Sequence, residues 1–131
     1  MISYEQRLKL IIEVAKEAAS RDFQQEAWLS GRPSASSPTE IYSQLFDDYN
    51  FDLFHEMYSK DFAPVESAAW TEFKDQLESY WKKLASYKQM YAEFPNERFV
   101  FDDPDWQLVR EAAARFVAAF EPKHPEPSAP S

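Results

Sequence analysis

Apolar residues recur every three or four positions through most of this chain, a spacing that predicts amphipathic helices. Leu8, Ile11, Ile12, Ala15, Ala18, Ala19 and Phe23 form the first stripe. Ser3 and Gln6 stand ahead of it at capping-box spacing, where each side chain satisfies an orphan amide of the other. Gly31, followed by Arg32 and Pro33, is a stop signal: a residue tolerant of left-handed backbone, then one that cannot continue a helix. The pattern predicts a helix over 4–29 with a bend near Ser20–Asp22. Residues 30–37 read as a loop of small residues.

Ser37, Pro38 and Glu40 open the next helix as cap, first-turn proline and capping-box acid. Ile41, Tyr42, Leu45, Phe46 and Tyr49 give its stripe, and Asn50 ends it. Phe51, Phe54, Met57, Tyr58 and Phe62 predict a further short helix. Pro64 begins the longest element, predicted over about 64–94. Along it Trp70, Phe73, Leu77, Tyr80, Leu84, Tyr87, Tyr91 and Phe94 form an unbroken heptad seam. The seam is mostly aromatic, which suits the wide interior of a bundle better than a two-stranded coil. Trp81 and Met90 are expected to widen that stripe. Residues 98–102 alternate Phe99 and Phe101 and read as extended, strand-like backbone between two helices. Asp103 then caps a last helix from Pro104, with Trp106, Val109, Ala113, Phe116 and Phe120 on its apolar face. Residues 121–131 contain four prolines and no large apolar side chain, so a disordered tail is expected.

The predicted fold is therefore all-α: a single-domain bundle of four to five helices over 1–120, with one long central helix. Composition agrees. The chain has 131 residues and is 44% hydrophobic, enough for one core. Its single glycine excludes a glycine-rich phosphate loop and disfavours turn-rich β folds. There is no cysteine, hence no disulfide, thiolate metal site or thiol nucleophile. Acids and bases are mixed through Ile2–Arg21, so no secretory leader is expected there, and no apolar run reaches membrane-spanning length. A cytoplasmic location is the expectation.

Charge changes the picture. The net charge is −9, and all of it falls in two stretches rich in aromatics. Residues 40–61 hold six acids against Lys60 alone, and residues 93–105 hold five against Arg98 alone. Concentrated acid makes a local field that attracts a cationic partner and repels nucleic acid and anionic lipid.

Catalytic patterns are weak. Asp48–Tyr49–Asn50–Phe51–Asp52 opens like a calcium loop, but Leu53 stands where glycine is required and Ser59 where a bidentate glutamate belongs. Asp102, Asp103 and Asp105 could recruit magnesium, yet basic residues for a transferred group are sparse nearby, and capping explains Asp103 and Asp105. His55 and His124 are too few and too far apart for zinc. Among 23 acids a carboxylate pair can always be chosen, so pairing alone carries no information.

The expectation is a non-enzymatic acidic protein-binding module without a cofactor or metal, monomeric rather than dimeric. It would hold a basic protein in the manner of an immunity protein or antitoxin covering a cationic toxin. Its predicted contact residues are Asp47, Asp48, Tyr49, Asp52, Glu56 and Tyr58 in the first stretch, and Asp102, Asp103 and Asp105 in the second. Tyr49, Phe51 and Tyr58 are either core or outward-facing anchors. Two alternatives are a homo-oligomeric scaffold built on the aromatic seam and a small metal-dependent enzyme on the Asp clusters.

Overall fold

In the computed structural model, which describes residues 4–31 and 36–121, every regular element among those residues is helical. The elements are α1 (Tyr4–Ala19), α2 (Arg21–Leu29), α3 (Pro38–Tyr42), a π-turn (Ser43–Asp48), α4 (Phe51–Tyr58), a 3₁₀ turn (Ser59–Asp61), α5 (Pro64–Tyr91), α6 (Glu97–Asp102) and α7 (Pro104–Phe120). An all-α bundle with one long helix is the architecture. No described helix is long and apolar enough to cross a membrane.

The core forms where α7 packs against both α1 and α5. Leu8, Ile11 and Ala15 come from α1, Val109, Ala113 and Phe116 from α7, and Trp70, Phe73, Leu77, Tyr80 and Leu84 from α5. The heptad seam is thus buried inside one chain from Trp70 to Leu84. Its far end differs from expectation. Ala92 adopts a left-handed conformation (φ 66°) and stops α5 at Tyr91. Past Leu84 the seam loses its cover, so Tyr91 is 58% and Met90 73% exposed. Met90 does not widen the core stripe.

The predicted first helix is two helices. Ser20 is extended (φ −95°, ψ 106°), and its hydroxyl accepts the Phe23 amide at 3.0 Å. That local bond competes with helix continuation and caps α2 instead. The freed α1 carbonyls of Glu17 and Ala18 are taken by Gln24 Nε2 at 2.9 and 2.8 Å. Gly31 has the expected positive φ of 80°. The Ser3 cap and the tail beyond Glu121 lie outside the described residues, as does His124.

Residues 98–102 are not extended. Asn96 caps α6, its side-chain oxygen accepting the Phe99 amide at 2.9 Å. Val100 and Phe101 turn inward together while Phe99 remains exposed, the reverse of strand alternation.

The segment after α3 is anchored by stacked rings. Phe51 lies parallel to Trp70 at 4.4 Å and 12°, and Phe54 lies 5.5 Å from the same indole. Phe116 meets that indole edge-on from α7 at 5.2 Å. Truncating Trp70 to alanine would cost about 3–5 kcal/mol. Asn50 absorbs the turn between the π-turn and α4 with φ 51°, a conformation asparagine tolerates better than most residues.

Candidate functional site

The two acidic stretches behave differently. In the second, Asp102, Asp103 and Asp105 are engaged within the fold, whereas Glu93 and Glu97 are exposed. Asp103 is buried, and its Oδ1 accepts the Asp105 amide at 3.0 Å, capping α7. Its Oδ2 accepts the Tyr80 hydroxyl at 2.8 Å and lies 2.8 Å from Lys83 Nζ. Burial alone would raise the Asp103 carboxyl, but Lys83, the Asp105 amide and Tyr80 outweigh it and hold it below the usual carboxylate range. The same bond to Asp103 raises Lys83. Asp105 pairs with Lys83 at 3.0 Å, and Asp102 approaches Arg98 at 3.8 Å. Asp103 is therefore buried in a structural role, as the cap of α7 and the partner of Tyr80 and Lys83. Asp103 and Asp105 meet on Lys83 while Asp102 pairs with Arg98, and among the described residues no group of three or more His, Asp or Glu side chains is arranged to hold a metal ion.

In the first stretch none of Glu40, Asp47, Asp48, Asp52, Glu56 and Asp61 forms an ion pair among the described residues. Asp47, Asp48, Asp52 and Glu56 are exposed. Trp81 of α5 lies against Tyr42 of the first stretch at 4.9 Å and against Phe94 of the second at 5.6 Å, while Lys83 reaches Asp103 and Asp105.

The aromatics of 49–58 divide. Phe51 is fully buried, so it is core and not an outward anchor. Tyr58 is half-buried, held between Tyr4 at 4.7 Å and Phe54 at 4.9 Å. Tyr49 is half-buried against the core, and burial, with Asp48 and Glu17 nearby, raises its hydroxyl. His55 stacks between Phe62 (5.8 Å) and Trp70 (5.6 Å), and its buried Nε2 has no partner. Burial first, then Lys74, lowers its pKa. This is a packing histidine.

Beside the unpaired acids lies a groove of about 490 Å³ between α3, the π-turn, the start of α4 and α5. Its walls are Tyr42, Phe46 and Trp81, and its rim carries Asp47, Asp52, Glu78 and Lys82. The Tyr42 ring lies 4.9 Å from Trp81 and stacks on Phe46 at 6.2 Å and 16°. The Tyr42 hydroxyl donates to the Leu77 carbonyl at 2.6 Å, fixing α3 on α5, and burial raises its pKa strongly. Glu78 pairs loosely with Lys74 at 3.6 Å, whereas Lys82 has no ion pair. The π-turn that supplies Phe46 and Asp47 closes with a bond from the Tyr49 amide to the Gln44 carbonyl at 3.0 Å. Such widened turns often occur at functional sites.

Asp47 and Asp52 were legible as site residues, but the aromatic walls, Glu78 and Lys82 were not. The available signal was Trp81, a large apolar residue off the heptad seam between Glu78 and Lys82 on the outer part of a helix. No family model matches the chain, and no curated protein or solved structure matches it.

Proposed function

We propose that this protein is a non-enzymatic acidic binding module that holds a basic protein partner through the face built from residues 40–61. An immunity protein or antitoxin covering a cationic toxin is the model for such a role. One observation carries the reading: Asp47 and Asp52, which form no ion pair among the described residues, rim a groove with aromatic walls, and Asp48 and Glu56 stand exposed on the same segment. Carboxylates neutralised within the fold contribute little field, and unpaired ones steer a cationic partner. Half-exposed aromatic surface beside them supplies contact area. The second stretch, where Asp103 and Asp105 are engaged by capping and by Lys83, takes a lesser part.

The test is capture from a lysate of the source cell at low salt, with elution by a salt gradient. The Asp47/Asp48/Asp52→Asn variant runs beside the wild type. A basic protein held by the wild type and lost by a variant of unchanged helicity supports the reading. Equal retention on both columns refutes it.

A further inference from the structure

The groove's chemistry is narrower than that of the acidic face as a whole. We infer that it receives an arginine side chain presented by the basic protein partner. This rests on the proposed binding role of the 40–61 face and names what that face recognises.

Three features point to a cation that is also planar. First, of the four tryptophans only Trp81 is appreciably exposed, at 39%, and it does so in the groove wall. With the partly exposed Phe46 it offers aromatic surface, whose negative π density attracts a cation, and tryptophan is the strongest such acceptor. Second, the rim sets Asp47, Asp52 and Glu78 against Lys82 alone. Asp52 has one oxygen engaged by the Leu53 amide at 2.9 Å, Glu78 is shared loosely with Lys74, and Asp47 has no ion pair. The charge deficit is therefore filled from outside. Third, at about 490 Å³ the groove has room for a long side chain beside its carboxylates. A guanidinium can lie flat on a ring and fork onto a carboxylate together. An ammonium is more strongly hydrated, makes only point contacts, and is already represented at the rim by Lys82.

The experiment is an NMR titration of the full chain with three blocked pentapeptides, identical except for arginine, lysine or citrulline at the centre. The readouts are the Trp81 indole N–H and the amides of Ser43–Asp47. The arginine peptide is expected to shift these resonances saturably and to bind roughly tenfold tighter than the lysine peptide, with citrulline weaker still. Asp47→Asn/Asp52→Asn should weaken arginine binding by roughly tenfold. Trp81→Ala should abolish the arginine preference, and Trp81→Phe should keep part of it. Equal shifts from the arginine and lysine peptides overturn the inference, as do unsaturable shifts spread over Asp48, Glu56 and Asp61. So does citrulline binding as tightly as arginine. If these outcomes occur while Trp81→Ala still captures a basic protein in a salt-sensitive way, the arginine pocket falls and the binding module stands. A wild type that captures nothing overturns both.

Discussion

The side-chain oxygen of Gln24 accepts the Arg110 Nε–H at 2.7 Å, joining α2 to α7 across the core. Both side chains are buried, Gln24 at 0% and Arg110 at 3% exposure. The same Gln24 oxygen accepts the Trp106 indole N–H at 3.1 Å, and its amide nitrogen closes the end of α1. Arg110 reaches no carboxylate. Its other donors go to Gln107 at 3.0 Å and to the Phe101 carbonyl at 2.8 Å. Burial, with Arg21 nearby, pushes the guanidinium down to about 10. A buried cation satisfied only by neutral acceptors depends on each of them.

Gln24→Leu should therefore destabilise the protein by about 3 kcal/mol, because it orphans buried donors on Arg110 and Trp106 and two α1 carbonyls at once. Arg110→Met should cost less once Gln24 is already leucine. Chemical denaturation of the two single variants and the double variant measures that coupling, and strictly additive effects would disprove the network.

Tyr42→Phe should leave helicity intact and cost about 1 kcal/mol, since Leu77 keeps its helical partner and only one hydrogen bond disappears. Its more telling effect should be on the groove. With α3 no longer tied to α5, the Trp81 indole resonance should broaden. An unchanged Trp81 signal would show that the hydroxyl does not fix the wall.

Two helix ends can be improved. Ala63 begins α5 with cap-like backbone (φ −66°, ψ 155°), and Glu66 already accepts its amide at 2.6 Å, but alanine offers no oxygen in return. Ala63→Ser completes the capping box and should add about 0.5–1 kcal/mol. Ala92→Gly relieves a left-handed alanine at the other end and should add about 1 kcal/mol. Thermal melts of each variant would reveal the gain, and a lower midpoint would contradict the cap geometry.

Stability should fall as pH drops below about 6.5, the ordinary histidine value. The folded state holds the His55 pKa below that value, so the unfolded chain takes the proton first and acid favours unfolding. Asp103 acts in a lower window. Its folded pKa lies below the ordinary 3.8, so its contribution is present above that value and is lost as pH falls through the folded pKa. His55→Phe should remove the upper step and keep the lower one. Denaturant midpoints measured across pH would show both steps, and a His55→Phe profile identical to wild type would exclude the first.

Local signals explain what could be read from the residues alone. Ser37–Pro38, Asn50 and Asp103–Pro104 carry their own capping chemistry, and Trp70–Leu84 carries the period of a buried helix face. The misreadings arose where tertiary contacts decide. Phe99 and Phe101 alternate like a strand, but the Asn96 cap and the burial of Val100 beside Phe101 impose a helix. Asn96 after Pro95 was itself a start signal as well as a stop. The charge pattern located the unpaired acids of 40–61 and equally suggested 93–105, because a lysine on α5 that neutralises Asp103 and Asp105 from 20 and 22 residues away has no sequence signature. The groove is likewise assembled from four elements, so only its acidic rim was visible.

The most direct test of the account is the association rate of the captured basic partner as ionic strength rises, measured for wild type and for Asp47/Asp48/Asp52→Asn. The wild-type rate is predicted to be fast at low salt and to fall by roughly tenfold or more toward physiological salt, and the variant to be slow and nearly flat. Superimposable curves for the two proteins would contradict the claim that the unpaired acids of 40–61 steer a partner.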